Sequence, residues 1–253
     1  MRFYTLRSGV LMFAIAASLA APAFVVAQIP ETFENLQVLP EDIPRSELIE
    51  TMRNFSFALN VRCTHCHVGE EGQPFSTYDF PSDEKETKQK ARFMLQMVRY
   101  LNEERLPQLA EIGPRAEPSA SVSCETCHSG LEVPRTLRDE LGHVAATEGT
   151  DAVIDRYNEL REEWYGLGAY NFGEQTLVEV ASVVGEDDPG GAIRIFELNL
   201  EHHAKSIQSW VGIAQAHAEL GNRDQALEAV DSAEAIMPDN PFLQRLRADI
   251  EGG

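Results

Sequence analysis

Cys63-Thr64-His65-Cys66-His67 and Cys124-Glu125-Thr126-Cys127-His128 are two copies of one spacing, Cys-x-x-Cys-His, and together they use all four cysteines of the chain. Two thiols three positions apart reach the two vinyl groups of a haem and form thioethers, and the next residue places an imidazole on the iron. The expectation is two covalently attached haem c groups. One is held by Cys63 and Cys66 with His67 as an axial ligand, the other by Cys124 and Cys127 with His128. A shared zinc fits poorly. Zinc-ribbon pairs lie roughly 15–20 residues apart, whereas 57 residues separate Cys66 from Cys124, and zinc gives no reason for a histidine after each pair. A redox dithiol would need βαβ surroundings, and no stretch alternates long enough to read as a strand.

The start of the chain speaks for the compartment. Arg2 and Arg7 precede an uncharged apolar run from Gly9 to Val26, and small residues follow at Ala21-Pro22-Ala23 and Val25-Val26-Ala27. That is the layout of a secretory signal, expected to be residues 1–27 with cleavage after Ala27. Covalent haem attachment takes place outside the bacterial cytoplasm, so motif and signal agree on the periplasm. With the signal removed, no membrane span is expected.

The formal net charge of the 253-residue chain is −20. Both halves contribute: residues 28–150 carry 12 basic and 21 acidic groups, residues 151–253 carry 7 and 20. Such a surface repels nucleic acid and anionic lipid; most of these charges read as simple solubility, and they also favour a redox partner with a basic docking surface.

Hydrophobic periodicity is helical throughout. After Pro44, Ser46 is placed to cap a helix with Leu48, Ile49, Met52, Phe55 and Leu59 on one stripe, ending just before the first haem motif. Val68 to Pro81 reads as a loop. Asp83 with Glu86 resembles a capping box before a second stripe, Ala91, Met94, Leu95, Val98 and Leu101. Pro107 is expected to end that helix, and a loop with Gly113, Pro114 and Pro118 leads to the second motif. Each half therefore reads helix, loop, CxxCH. Arg53, Arg62, Arg92 and Arg99 flank these elements, either as partners for haem propionates or as solvated charges.

An electron-transfer haem needs a second axial ligand besides the motif histidine, and methionine is a common one. After the signal only Met52, Met94, Met97 and Met237 remain. Met52 is the sole candidate ahead of the first motif. Met94 and Met97 both precede the second and share a helix face, so from the residues alone either one is a candidate ligand. His65 lies between linking cysteines and points away from the iron in the usual geometry. His143 reads as a helix-surface residue, and His202, His203 and His217 belong to a later part of the chain.

The order Leu48-Ile49-Glu50-Thr51-Met52, Cys63 to His67, Asp83-Glu84-Lys85, Ala91-Arg92-Phe93-Met94-Leu95-Gln96-Met97 and Val122-Ser123-Cys124 to Gly130 resembles one dihaem half of the photosynthetic reaction-centre cytochrome c subunit family. The resemblance covers about residues 35–135. It implies Met52 as the first distal ligand and Met94, with Met97 as the alternative, as the second. The family's bound subunit has four haems; this chain has two motifs. Where the four-haem members carry a histidine after Leu101-Asn102, this chain reads Glu103-Glu104-Arg105-Leu106-Pro107-Gln108, which implies a free-standing two-haem form.

Trp210, Ile213, Ala214, His217, Gly221, Ala226, Val230, Ala233 and Pro238 follow the spacing of a 34-residue tetratricopeptide repeat. Ala192 and Phe196 stand 34 residues upstream of Ala226 and Val230. Residues 173–206 and 207–240 are thus expected to be two repeats, with Phe242 to Ile250 as a capping helix. Before them an amphipathic helix, Asp151 to Tyr165, is broken by Gly166, Gly168 and Gly173. The predicted division is signal 1–27, dihaem cytochrome domain 28–135, connecting helices 136–172 and repeats 173–253, an all-α fold. Two repeats are few for a self-sufficient solenoid, so they are expected to dock on the connecting helix. A repeat unit of this kind binds a protein partner or packs on the cytochrome part.

The expected function is outer-sphere electron transfer between redox partners, with no catalytic residue. A dihaem enzyme of peroxidase type would need an open iron and an acid–base group beside it. A haem-based sensor would use the repeats as its output.

Overall fold

Helices account for the architecture because the apolar stripes leave no other way to bury a face. The computed structural model describes residues 32–114 and 120–252, and the signal segment 1–27 lies outside them. Among the described residues there is no β-strand, only an isolated antiparallel bridge between Val68 and Asp79. The fold is all-α, as the periodicity predicts.

Helix α1, Arg45–Leu59, begins one residue before Ser46. The cap is Pro44, whose carbonyl accepts from the Leu48 N–H at 3.0 Å, and no side chain caps the helix. Ser46 therefore does not serve as the cap. Proline's fixed φ suits the entry to a helix, so the chain starts its turn there. At the other end Asn60 takes the left-handed conformation, φ 53°, and turns the chain into the first CxxCH motif.

Helix α2, Glu86–Tyr100, has Lys85 at its N-cap and no capping side chain. The expected box between Asp83 and Glu86 does not form. Asp83 instead pairs with Arg92 at 2.8 Å and Lys88 at 3.3 Å, and it accepts from Asn35 Nδ2 at 2.9 Å. Pro107 does not end the helical path either. The chain passes from α2 through a widened π turn, Leu101–Arg105, and a 3-10 turn, Leu106–Gln108, into the short α3, Leu109–Ile112. Proline lacks an N–H but is tolerated in a first turn, and the wider turn before it absorbs the mismatch. The second motif itself forms α4, Cys124–His128.

The remaining helices are α5 Leu137–Glu148, α6 Thr150–Trp164, α7 Glu174–Gly185, α8 Pro189–His202, α9 Ile207–Glu219, α10 Arg223–Ile236 and α11 Pro241–Gly252. Consecutive helices of α7 to α11 pack on one another, α5 packs on α6 and α7, and α6 packs on α8. The small residues read from the repeat pattern, Ala214, Ala226 and Ala233, are fully buried, which lets the helices approach closely. Ser206 caps α9 and its hydroxyl bonds Ser209, which in turn accepts from the buried Asn199 at 2.8 Å.

One core runs through this array. Leu137, Leu141, Val153, Tyr157 and Leu160 of α5 and α6 join Leu177, Ile195, Phe196, Ile213 and Val230 in a single cluster. Phe172, within the glycine-bearing stretch, is buried against Tyr157 with ring centroids 5.7 Å apart. The connecting helices and the repeats thus share one interior, consistent with the expected docking. Leu141→Ala should cost about 2–5 kcal/mol of the array's stability, since it opens a fully buried site. A denaturant melt followed by circular dichroism measures that loss, and a cost under about 1 kcal/mol would mean the site relaxes closed.

The first part of the chain is built differently. Among its described residues before Leu137, only Ile43, Leu48 and Ala58 are buried apolar side chains. Large apolar residues there are open: Phe57 is 77% exposed and Phe93 66%.

Candidate functional site

The first motif is a single tight turn. Cys63–His65 is a 3-10 turn, and the His67 N–H reaches back to the Cys63 carbonyl at 2.9 Å. Cys63 is exposed and Cys66 half-buried, both as free thiols, and burial pushes the Cys66 thiol up. The second motif is a short helix whose cap the sequence supplies. Ser123 accepts from the Thr126 N–H, and the Thr126 hydroxyl accepts from the Ser123 N–H at 3.0 Å, a reciprocal box. Ser129 then adopts φ 47° and ends the turn. Cys124 is half-buried and Cys127 exposed. In both motifs the two thiols lie one turn apart, as two thioethers require.

The two imidazoles are poised differently. His128 Nδ1 lies 2.8 Å from the Leu131 carbonyl oxygen. A carbonyl only accepts, so Nδ1 carries the proton and the lone pair is on Nε2. His67 is half-buried, and its Nδ1 is shielded from solvent with no hydrogen-bond partner. The Phe80 carbonyl favours its protonated ring, but burial first, and then the charges of Lys88, Lys85 and Arg92, hold its pKa below the ordinary value. The Phe80 ring stands edge-on to it at 5.0 Å. A neutral imidazole is the form that ligates a metal.

Residues outside the motifs hold them in place. Lys85 Nζ donates to the Thr64 carbonyl and Thr87 Oγ1 to the His65 carbonyl, tying the start of α2 to the first motif. Lys88 Nζ donates to the carbonyls of Phe80, Pro81 and Ser82 at 2.8, 3.0 and 2.7 Å. Asn102 clamps the approach to the second motif, donating to the Val122 carbonyl at 2.7 Å and accepting from its N–H at 2.8 Å. Asp83 is held well below the usual carboxylate range, chiefly by the Asn35 hydrogen bond and then by Lys88 and Arg92. Local spacing gives little hint of these roles, because each partner lies on another segment.

The motifs are also tied to each other. The Gly130 N–H donates to the Ala58 carbonyl at 2.9 Å, and His65 Nε2 lies 3.7 Å from Glu132. Gly130 has φ 90°, and a Cβ there would meet the Trp164 ring at 3.2 Å, so glycine suits the point where the second motif meets α6.

Met52 lies half-buried on α1, and Met94 and Met97 lie on α2, each 41% exposed. Their equal exposure does not rank the last two. Arg92 and Arg99 are engaged with the segment before α1, donating to the Asn35 and Val38 carbonyls at 3.0 Å each, and Arg62 lies 3.7 Å from Glu71. His143 is exposed on α5, in line with the surface reading. His202 and His217 lie on α8 and α9, His203 caps α8, and burial holds the His202 pKa low beside Tyr157. Among the described residues no three His, Cys, Asp or Glu side chains converge on a metal position.

The residues present fit haem c at both motifs. The thiols are free and suitably spaced, the His128 tautomer leaves Nε2 available, and α1 and α2 carry open apolar side chains such as Phe57 and Phe93. The family model described as photosynthetic reaction centre cytochrome C subunit matches residues 16–160. The chain belongs to this family. A tetratricopeptide-repeat model matches residues 183–250, over α8 to α11 and the end of α7. No curated protein matches the chain. Within the reaction-centre cytochrome c family the two CxxC spacings, at Cys63/Cys66 and Cys124/Cys127, fit two haems.

Proposed function

We propose that this reaction-centre-type cytochrome is a periplasmic two-haem carrier that moves single electrons between redox partners. The observation that carries the reading is the His128–Leu131 contact, which leaves Nε2 as the free nitrogen of an imidazole placed directly after a thiol pair. In this reading Cys63 and Cys66 would hold one haem c, with His67 and Met52 as ligands to its iron. Cys124 and Cys127 would hold the other, with His128 and Met94 as iron ligands and Met97 as the alternative to Met94. Bound there, haem c supplies a one-electron ferric/ferrous couple, and a methionine ligand raises its potential.

The chain's own residues do the rest. His67 and His128 are imidazole donors fixed by their motif turns. Phe80 stands beside His67 and limits water there, and Lys88 keeps the Phe80 loop seated. With two protein ligands per iron, no position remains for a substrate, so the protein acts as a carrier and not an enzyme.

The cytochrome domain ends near residue 135 in this proposal. The helices of 136–172 and the repeats of 173–253 form the platform on which a protein partner docks. The net charge of −20 favours a partner with a basic face. Among the described residues no helix is long and apolar enough to cross a membrane. Secretion rests on the signal of residues 1–27.

The test is stoichiometric. Protein produced in a host that attaches haem c should keep two haems per chain after denaturation, because thioethers survive it. A mass corresponding to one haem, or haem extracted by acidic acetone, overturns the proposal.

A further inference from the structure

The two motifs differ in the charges that their neighbours place on them. The first lies at the N-terminal end of α2, where unpaired backbone N–H groups and the helix dipole present positive charge. Lys85 and Thr87 of that end bind the carbonyls of Thr64 and His65, inside the motif. One turn on, Lys88 seats its amine against the Phe80, Pro81 and Ser82 carbonyls, and Arg92 follows on the same face. Asp83 offsets part of this charge through Lys88 and Arg92, Glu132 stands near His65, and Glu71 accepts from Thr64 Oγ1 at 3.3 Å and lies 3.7 Å from Arg62. Lys85 forms no ion pair among the described residues, and its side chain is partly buried.

The second motif also lies against the C-terminal end of α1, the negative end of a helix dipole, through the Gly130–Ala58 bond; that end leads into the first motif as well, so the two motifs differ by the lysines and the end of α2 at the first. Lys85, Lys88 and Arg92, which gather at the first motif, make no hydrogen bond or ion pair with residues 124–131.

Reduction adds an electron, so nearby positive charge stabilises the reduced form. Building on the two-haem reading above, we propose that the haem on Cys63 and Cys66 has the higher potential, set by Lys85, Lys88 and the N-terminal end of α2, so that electrons pass from the second motif to the first. One electron leaves the ferrous iron at His128, which becomes ferric, and the ferric iron at His67 becomes ferrous. No bond or proton need move. Lys85 and Lys88 are positioning residues that act through the field at the first motif.

Potentiometric titration of the purified two-haem protein, followed by visible absorption, tests this. Wild type should show two one-electron steps. The Cys124→Ala/Cys127→Ala variant should keep the higher one, and Cys63→Ala/Cys66→Ala the lower, so either variant alone makes the assignment. Lys85→Gln should lower the reduction constant of the higher step about tenfold, about 59 mV for one electron, and leave the lower step in place. Lys85→Arg should restore it, which a merely structural role would not require. Lys88→Gln should lower the same step further, because it leaves Asp83 less compensated.

If the first haem titrates at the lower step, or if Lys85→Gln moves neither step or both equally, the inference is overturned. Two covalent haems with one common potential overturn this inference alone. Absence of covalent haem overturns the carrier reading and this inference with it.

Discussion

With Cys63, Cys66, Cys124 and Cys127 all replaced by serine, α1 and α2 are expected to lose their protection from amide hydrogen exchange, while α7 to α10 keep theirs. The reason is the unequal interior of the chain. Between residue 32 and Leu137 the described buried apolar side chains are only Ile43, Leu48 and Ala58. Helices α1 and α2 have 15 residues each, and isolated helices shorter than about 12–15 residues are marginal in water. Their apolar faces, with Phe93, Met94 and Met97, have little protein to pack on. In our proposal the two haems supply that interior. The array from Leu137 to Ile250 buries its own cluster and needs nothing from the thiols. Its stability should change by less than about 0.5 kcal/mol, as for sites that share no partners. Exchange read by mass spectrometry resolves the two parts. Equal protection of α2 in the serine variant and the haem-bearing protein would show that the first part folds on its own contacts.

Met52→Ala and Met94→Ala are each expected to convert one haem to a high-spin or misligated form and to remove that haem's methionine–iron charge-transfer band in the near infrared. The potential of the affected haem should fall, because loss of the soft neutral ligand favours the ferric state. Met97→Ala should leave both bands and cost less than about 2 kcal/mol, since the side chain is open rather than buried. Its spacing from Met94 puts both on one face of α2, so the comparison is direct. If Met97→Ala abolishes a band and Met94→Ala does not, the resemblance has pointed to the wrong methionine.

Much of this was open to reading before any coordinates. The helices appear where the stripes from Leu48 to Leu59 and from Ala91 to Leu101 place them, because 3.6-residue periodicity is a local property of the chain. The repeat register was equally legible: Ala214, Ala226 and Ala233 are small because helices cross there, and all three are fully buried. The errors fall at helix boundaries. Ser46 yields to Pro44 as the cap, and Pro107 is carried through by a π turn, since a neighbouring residue's backbone can do what the side chain was expected to do.

Asp83 shows where local reading fails. Its spacing to Glu86 fits a capping box, yet Asn35, Lys88 and Arg92 converge on it from two segments, and three polar partners outweigh one helix-end N–H. Thiol spacing, in contrast, is covalent chemistry: Cys63/Cys66 and Cys124/Cys127 can each span two vinyl groups in any fold that lets the turns form, so the fit to two haems is legible in the chain alone. Fields and interiors do not. That Lys85 and Thr87 meet the first motif, that Gly130 meets Ala58 and Trp164, and that α5 and α6 share a core with the repeats depend on residues far apart in sequence. Only packing brings them within hydrogen-bond or van der Waals distance.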